Sequence, residues 1–451
     1  MRIRTLAVVA ATMLVSITLV PPAEATAGAE HWLARFPGPG YSVDQVAGIA
    51  IAPDGSRLFV TGSVAHFSGA TIQTVAYDAA GTQLWHTHFK GTGPYDDSAA
   101  GIAVSPDGTT VFVAGTSSTD TTKRDYITLA YDAATGTRVW KKRYSSDLGL
   151  SFDVAAALGV SPNGSTVFVT GAADGGPAGT DYVTVAYDAI TGQQRWTARY
   201  AGPFRDNART LSVSPDSSTV YVSGFSVNTG TGLDIETVAY AAGTGAERWK
   251  ARYDGPTSRD DQANAMGVSP DGSSVYVAGF SEGVNRQRDY VTVAYRTASG
   301  VQRWARRYNG PADWNDNIKA LAVSPDGSRI FVTGYRTGNG GRDFETIAYN
   351  AAGGRLWLRA YDGPGNNDDQ AAAIGVSPDG TQVYVTGVQL TSTSDRQWAT
   401  LAYRADSGER LWGSFLDGGK PSVLGVNPTG SDVYVSGING IDFTTVAYST
   451  T

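Results

Sequence analysis

The chain has 451 residues, 35 Lys and Arg against 42 Asp and Glu, a formal net charge of −7 and no cysteine. That acidic balance excludes nucleic acid and anionic membrane surfaces as natural partners. The lack of cysteine excludes disulfides and thiol-linked lipid anchors, so stability has to come from core burial and chain closure.

The first residues read MRIR, then LAVVAATMLVSITLV, then PPAEATA. A basic start, an apolar run and a small-residue end predict a secretory signal peptide over residues 1–27, cleaved after Ala27, with Ala25 as the alternative. The apolar run is about fifteen residues, short for a spanning helix, and no second run follows; membrane insertion is not expected. Cleavage removes Arg2, Arg4 and Glu24, leaving 33 basic and 41 acidic side chains, a net charge of −8. The predicted mature protein, residues 28–451, is secreted to the extracellular space.

From there the chain repeats itself. A V-S-P-D-G string has its proline at Pro53, Pro106, Pro162, Pro215, Pro270, Pro325, Pro378 and Pro428. A T-[VLI]-A-Y string ends at Tyr77, Tyr131, Tyr187, Tyr240, Tyr295, Tyr349, Tyr403 and Tyr448. The unit is 50–56 residues, present eight times. Each unit holds four runs of period-two, β-branched character, separated by Gly/Asp/Pro turns. Four strands repeated eight times predict an all-β fold, one eight-bladed β-propeller of four-stranded antiparallel blades.

The last unit stops after its third strand, and its missing tryptophan strand is HWLARF, His31–Phe36. The N-terminal strand is therefore expected to complete the last blade and close the ring. The fourth strands carry Trp32, Trp85, Trp140, Trp196, Trp249, Trp304, Trp357 and Trp412.

Ala130, Gly136 and Trp140 of AYDAATGTRVW resemble the tryptophan-docking motif of quinoprotein (PQQ-like) eight-bladed propellers. Ala186-Gly192-Trp196, Ala239-Gly245-Trp249, Ala294-Gly300-Trp304 and Ala402-Gly408-Trp412 keep the spacing. The SPDGxxVYVxG half is similar to YVTN-type repeats. The resemblance covers the whole mature chain. It implies the ring; the same frame serves PQQ dehydrogenases and non-catalytic scaffolds such as the outer-membrane assembly propeller. PQQ dehydrogenases bring a vicinal cysteine pair and a Glu/Asn/Asp calcium site. This chain has no cysteine and no residues that match that calcium set, so PQQ is not an expected cofactor.

With the SPDG and T-G turns on one face, the variable loops and inter-blade connections share the other. Rigid frames carry function on such loops. Nine residues before each repeat proline stand Asp44, Asp97, Asp153, Asp206, Asp261, Asp316 and Asp369, with Gly419 and Lys420 in the last blade. A second set, Asp125, Asp181, Asp234, Asp289, Asp343 and Asp442, opens the third strand. Two readings stay open. Each aspartate caps a turn or pairs with the arginine three residues after a tryptophan (Arg35, Arg143, Arg199, Arg252, Arg307; His88 in blade one). Alternatively, the first set takes up Ca²⁺ at the channel mouth.

Symmetry breaks elsewhere: Phe225, Phe280 and Tyr335 come directly after the second-strand glycine in three adjacent blades, and Trp314 sits in the connection between blades five and six. Arg286, Arg288, Arg336 and Arg342 lie in that sector. Exposed aromatics flanked by arginine predict a ligand site for a glycan, a peptide or a small acidic ligand; the alternative is that they cover strand ends. His31, His86 and His88 are read as surface residues, and no nucleophile elbow, P-loop or H-E-x-x-H is present. The expectation is a monomeric binding or scaffold module for an extracellular protein or glycan. The alternative is an enzyme, a quinoprotein-like oxidoreductase or a cation-dependent hydrolase or lyase.

Overall fold

The computed structural model describes residues 26–37, 44–66, 69–119, 124–146, 152–365, 367–391 and 395–451. The expected signal peptide lies outside them except for Thr26 and Ala27. Eight four-stranded antiparallel sheets form a ring; in seven the strands run in chain order from inside to outside, and in the last the N-terminal strand takes the outermost place. The innermost strands are Gln45–Ile51, Ser98–Val104, Val154–Val160, Asp206–Val213, Asp261–Val268, Asn317–Val323, Gln370–Val376 and Lys420–Val426. Each packs beside the next, and the eighth returns to the first. As predicted, Glu30–Phe36 pairs antiparallel with Asp442–Ser449 and supplies the outer strand of the last blade.

Burial follows position in the blade. Third strands such as Thr180–Asp188 are buried along nearly their whole length, because both sheet faces meet neighbouring blades. Innermost strands are half-open to the channel along their length. Each contains one extruded residue, a β-bulge, where the register with the second strand slips: Ala47, Ala100, Ala156, Arg209, Asn264, Lys319, Ala372 and Ser422. A bulge re-aims its side chain relative to the pleat.

The tryptophans join blade to blade. Trp85 Nε1 donates to the Ala133 carbonyl at 3.1 Å, Trp140 to Ala189 at 3.0 Å and Trp196 to Ala242 at 2.8 Å. Trp249, Trp304, Trp357 and Trp32 repeat the bond to Thr297, Ala351, Ala405 and Ala79. At the closing seam Trp412 packs on Gly28, and its Nε1 has no partner among the described residues. Each indole lies on a glycine of the next blade. Gly136 has φ 72°, and a Cβ there would stand 2.7 Å from the Trp85 ring. Backbone conformation and close approach therefore both demand glycine.

Gly108, in an SPDG turn, separates these two demands. Its φ is 73°, but a Cβ there would meet only Pro53, at 3.4 Å. Gly108→Ala should cost about 1–2 kcal/mol from left-handed strain alone. Gly136→Ala should cost about 1–3 kcal/mol more, because the indole is displaced. Denaturant midpoints measure both, and equal losses would mean that the indole contact contributes nothing.

Candidate functional site at the channel mouth

The two aspartate sets do different work. Members of the first set are buried and accept amide protons from their own blade's loops. Asp316 takes Gly310 N at 2.5 Å and Thr337 N at 2.9 Å; Asp369 takes Gly363 N at 2.5 Å and Leu390 N at 2.8 Å. Asp153 binds Ser146 N and Asp174 N, and Asp44, Asp97, Asp206 and Asp261 bind Ala65, Gly91, Gly202 and Gly255. Asp153, Asp316 and Asp369 thus each tie the inter-blade connection to the end of a strand. Burial nonetheless pushes Asp44, Asp316 and Asp369 up to about 6.

The arginines after the tryptophans meet the second set instead. Arg143–Asp125 is 2.8 Å, Arg199–Asp181 2.5 Å, Arg307–Asp289 2.6 Å and Arg252–Asp234 3.7 Å.

No three members of the first set bring their oxygens together among the described residues. One member, Asp261, meets Asp234 and Asp254 with oxygens within 4.8 Å of one another. Burial, partly offset by hydrogen bonds from Ser281 and Gly255, lifts Asp261 to about 7. Arg252, beside Asp234, already supplies positive charge there. The histidines do not converge: His31 Nδ1 lies 2.6 Å from Asp432, and His86 packs on Phe36.

The aromatic sector differs from expectation. Phe225, Phe280 and Tyr335 are 4, 2 and 8 % exposed, not open platforms. They face Asn207, Gln262 and Asn317 of the innermost strand, and cations cover them. Arg288 lies 4.2 Å from the Phe280 centroid and Arg342 4.7 Å from that of Tyr335. Lys319 also reaches Tyr335, at 5.6 Å, and Arg205 and Arg209 reach Phe225, at 5.4 and 5.5 Å. Trp314 stands apart, 45 % exposed. Arg336 is consumed by Asp343 at 3.1 Å and Glu345 at 3.4 Å.

Arg205, Arg209 and Lys319 are not among the residues that sequence reasoning marks, though a signal exists: the bulge column is Ala or Ser in five blades and Arg, Asn, Lys in blades four to six. Beside Lys319 a cavity of about 330 Å³ opens, lined by Gln370, Ala372, Val388, Lys420 and Pro421.

A family model described as outer membrane protein assembly factor BamB, of the PQQ-like class, matches residues 22–315. The chain belongs to that family. No curated protein matches the sequence. Among solved structures, the BamB-family ring is similar to Chaetomium thermophilum Sqt1 bound to the N-terminus of the ribosomal protein L10. The TM-score is 0.61 at 13% identity, over 90% of this chain and 97% of that one. It is also similar to the Dos1 propeller, with a TM-score of 0.59 at 11% identity over 93% and 96%. At such identities the likeness is one of fold.

Two further residues of this BamB-family chain go unmarked by sequence reasoning, Glu236 and Glu345. They stand directly before the third-strand threonine, opposite Gly224 and Gly334, where the other blades carry Gln73, Ile127, Val183, Val291, Ala399 and Thr444. Glu236 has Arg252 at 3.3 Å. Glu345 is fully buried, and burial, outweighing the neighbouring Arg336, lifts it to about 8.

A raised acid stabilises the fold while protonated. That contribution is complete below the unfolded value of about 4.3 and is lost as pH rises through about 8. Glu345→Gln should therefore melt with the parent near about pH 4 and above it, by a few degrees, at about pH 9. A gap that is the same at both pH values would show that Glu345 titrates normally.

Proposed function

We propose that the protein is a secreted, monomeric binding and scaffold module that holds an extracellular partner on its variable-loop face. The observation that carries this reading is where the exposed apolar side chains lie. One group repeats around the outer rim just before the tryptophans, as Leu84, Val139, Leu356 and Leu411 do. The other four blades carry His31, Arg195, Arg248 and Arg303 in that slot, and the group marks neither face of the ring. Of the rest, Val284 at 77 % exposure, Trp314, Phe204 and Tyr95 stand singly on the loop face, against Ile190 and Val301 in the turns of the other face. Isolated large apolar groups beside arginines are the composition of a protein-binding surface.

Beneath them the tryptophan-linked ring is rigid, so the loops are presented in fixed register. Membership in a family described by an assembly factor supports a scaffold role, and one solved propeller of this shape is bound to a protein N-terminus. These facts favour a protein partner over a glycan. Export is supported by the basic, apolar and small-residue order of residues 1–27.

Photo-crosslinking residues at Val284 and Trp314 should give one shared adduct, absent when the label replaces Ile190 on the turn face. Trp314→Ala should weaken capture of that partner about tenfold or more. Adducts from Ile190 alone, or capture that ignores Trp314, would move the binding face elsewhere.

Expression of the whole chain in an exporting bacterium should yield protein outside the cytoplasm whose first residue is Gly28. A chain retained with Met1 would end the secretion proposal.

A further inference from the structure

Blades four, five and six depart from the eightfold pattern at two places that adjoin each other at the channel mouth. The first is the bulge. Five blades extrude Ala47, Ala100, Ala156, Ala372 and Ser422, whereas the middle three extrude Arg209, Asn264 and Lys319. The second is the second-strand residue beside it: Ser63, Thr116, Ala172, Val388 and Ile438 elsewhere, but Phe225, Phe280 and Tyr335 here. Two linked changes repeated in three adjacent blades are not what blade packing needs, since five blades pack without them.

The result is a row of cations over buried rings. Arg205, Arg209 and Lys319 make no ion pair with a carboxylate among the described residues; Arg288 and Arg342 have only distant ones, Glu282 and Asp368, each at 3.8 Å. A ring face attracts a cation through its quadrupole but does not cancel its charge. Lys319 is exposed to the channel, yet crowding by the surrounding strands, and then the Arg342, Arg209 and Arg288 guanidinium groups, hold its ammonium below the usual range. Like charges gathered without counter-charge oppose folding, and a bound anion relieves them.

We propose that Arg209 and Lys319, with Arg205, Arg288 and Arg342, form a receiving site at the channel mouth for the side-chain carboxylates of an acidic peptide segment. This deepens the assignment of the loop face as the binding face and rests on it. A peptide fits better than an acidic glycan because the rings are already covered by cations and offer no face on which a sugar can stack. Guanidinium groups suit carboxylates directly, and the amides of Gln262 and Asn317 line the same inner strands.

The whole mature chain would be titrated with fluorescent hexaglutamate at low salt, beside the variant R209A/K319A. Alanine is the residue that four blades already carry at the bulge, so the variant should melt no lower than its parent. Hexaglutamate should bind the parent, weaken steeply with salt, and lose about tenfold or more in the variant. Equal binding by parent and variant, or none by the parent, would overturn the site. Oligogalacturonate of equal charge binding as tightly as hexaglutamate would overturn the choice of a peptide. If R209A/K319A keeps its full crosslink yield at Val284 and Trp314, the acidic-peptide site fails while the loop-face assignment stands. Crosslinks from the turn face instead would remove the assignment itself.

Discussion

The architecture depends on one contact, an indole laid on a glycine of the neighbouring blade. A single four-stranded blade cannot bury both its faces, so its stability is a property of its neighbours. The tryptophan answers this twice. Its face fills the space above a glycine that has no side chain, and its Nε1 satisfies a carbonyl at the neighbour's turn. Because the contact runs from blade to blade, the ring has no natural end until the chain's own ends meet. Strand Glu30–Phe36 therefore carries Trp32 onto Gly81 of blade one, while Gly28 receives Trp412 of blade seven. One short segment completes two contacts and closes a ring without a disulfide.

The ring is legible in the sequence because its physics is periodic. Strand number, blade number and the closing strand all come from strings repeated eight times, and a blade that lacks its tryptophan strand must borrow one. The site is less legible, for local reasons. Spacing places the first aspartates at the channel mouth but does not say whether a carboxylate there meets an amide or an arginine. Asp369 lies among N–H groups of its own connection, and the arginines reach the second set across the third strand instead. An aromatic that comes after a glycine at a strand end reads as exposed. In fact Phe280 opposes Gln262 of the innermost strand and is roofed by Arg288. A bulge is invisible to period-two reasoning, since the one extra residue reverses the in–out alternation of the rest of the strand. Arg209 and Lys319 show only as departures from a column of alanines.

Repetition and function pull against each other in such a ring. Much of what recurs from blade to blade is held by packing: hydroxyl pairs such as Thr170–Thr184 and Thr386–Thr400 inside six blades, and serine–aspartate contacts in five of the turns. Functional change is tolerated where a side chain leaves the packed faces, in the loops and at the bulges. Blades four to six use both exits. Their second-strand aromatics fill space inside the ring while making a floor for cations above, so one substitution serves packing and charge placement together.

The net charge of the chain sharpens this. A protein at −7 has ample carboxylate to neutralise five cations, yet of this sector's acids only Glu282 and Asp368 approach the row, at 3.8 Å from Arg288 and Arg342, and the others are engaged within the blades. Asp206, Asp261 and Asp316 hold loop amides; Asp234, Asp289 and Asp343 face Arg252, Arg307 and Arg336; Glu236 and Glu345 sit beside Arg252 and Arg336. Those arginines are spent on interior acids, leaving the mouth row to solvent or to a partner. Local positive potential on an acidic body attracts anions to one place and repels them from the rest. A partner with an acidic segment would be oriented before it touches the loops. Charge at the mouth then sets the approach, and the exposed side chains around Trp314 set the grip.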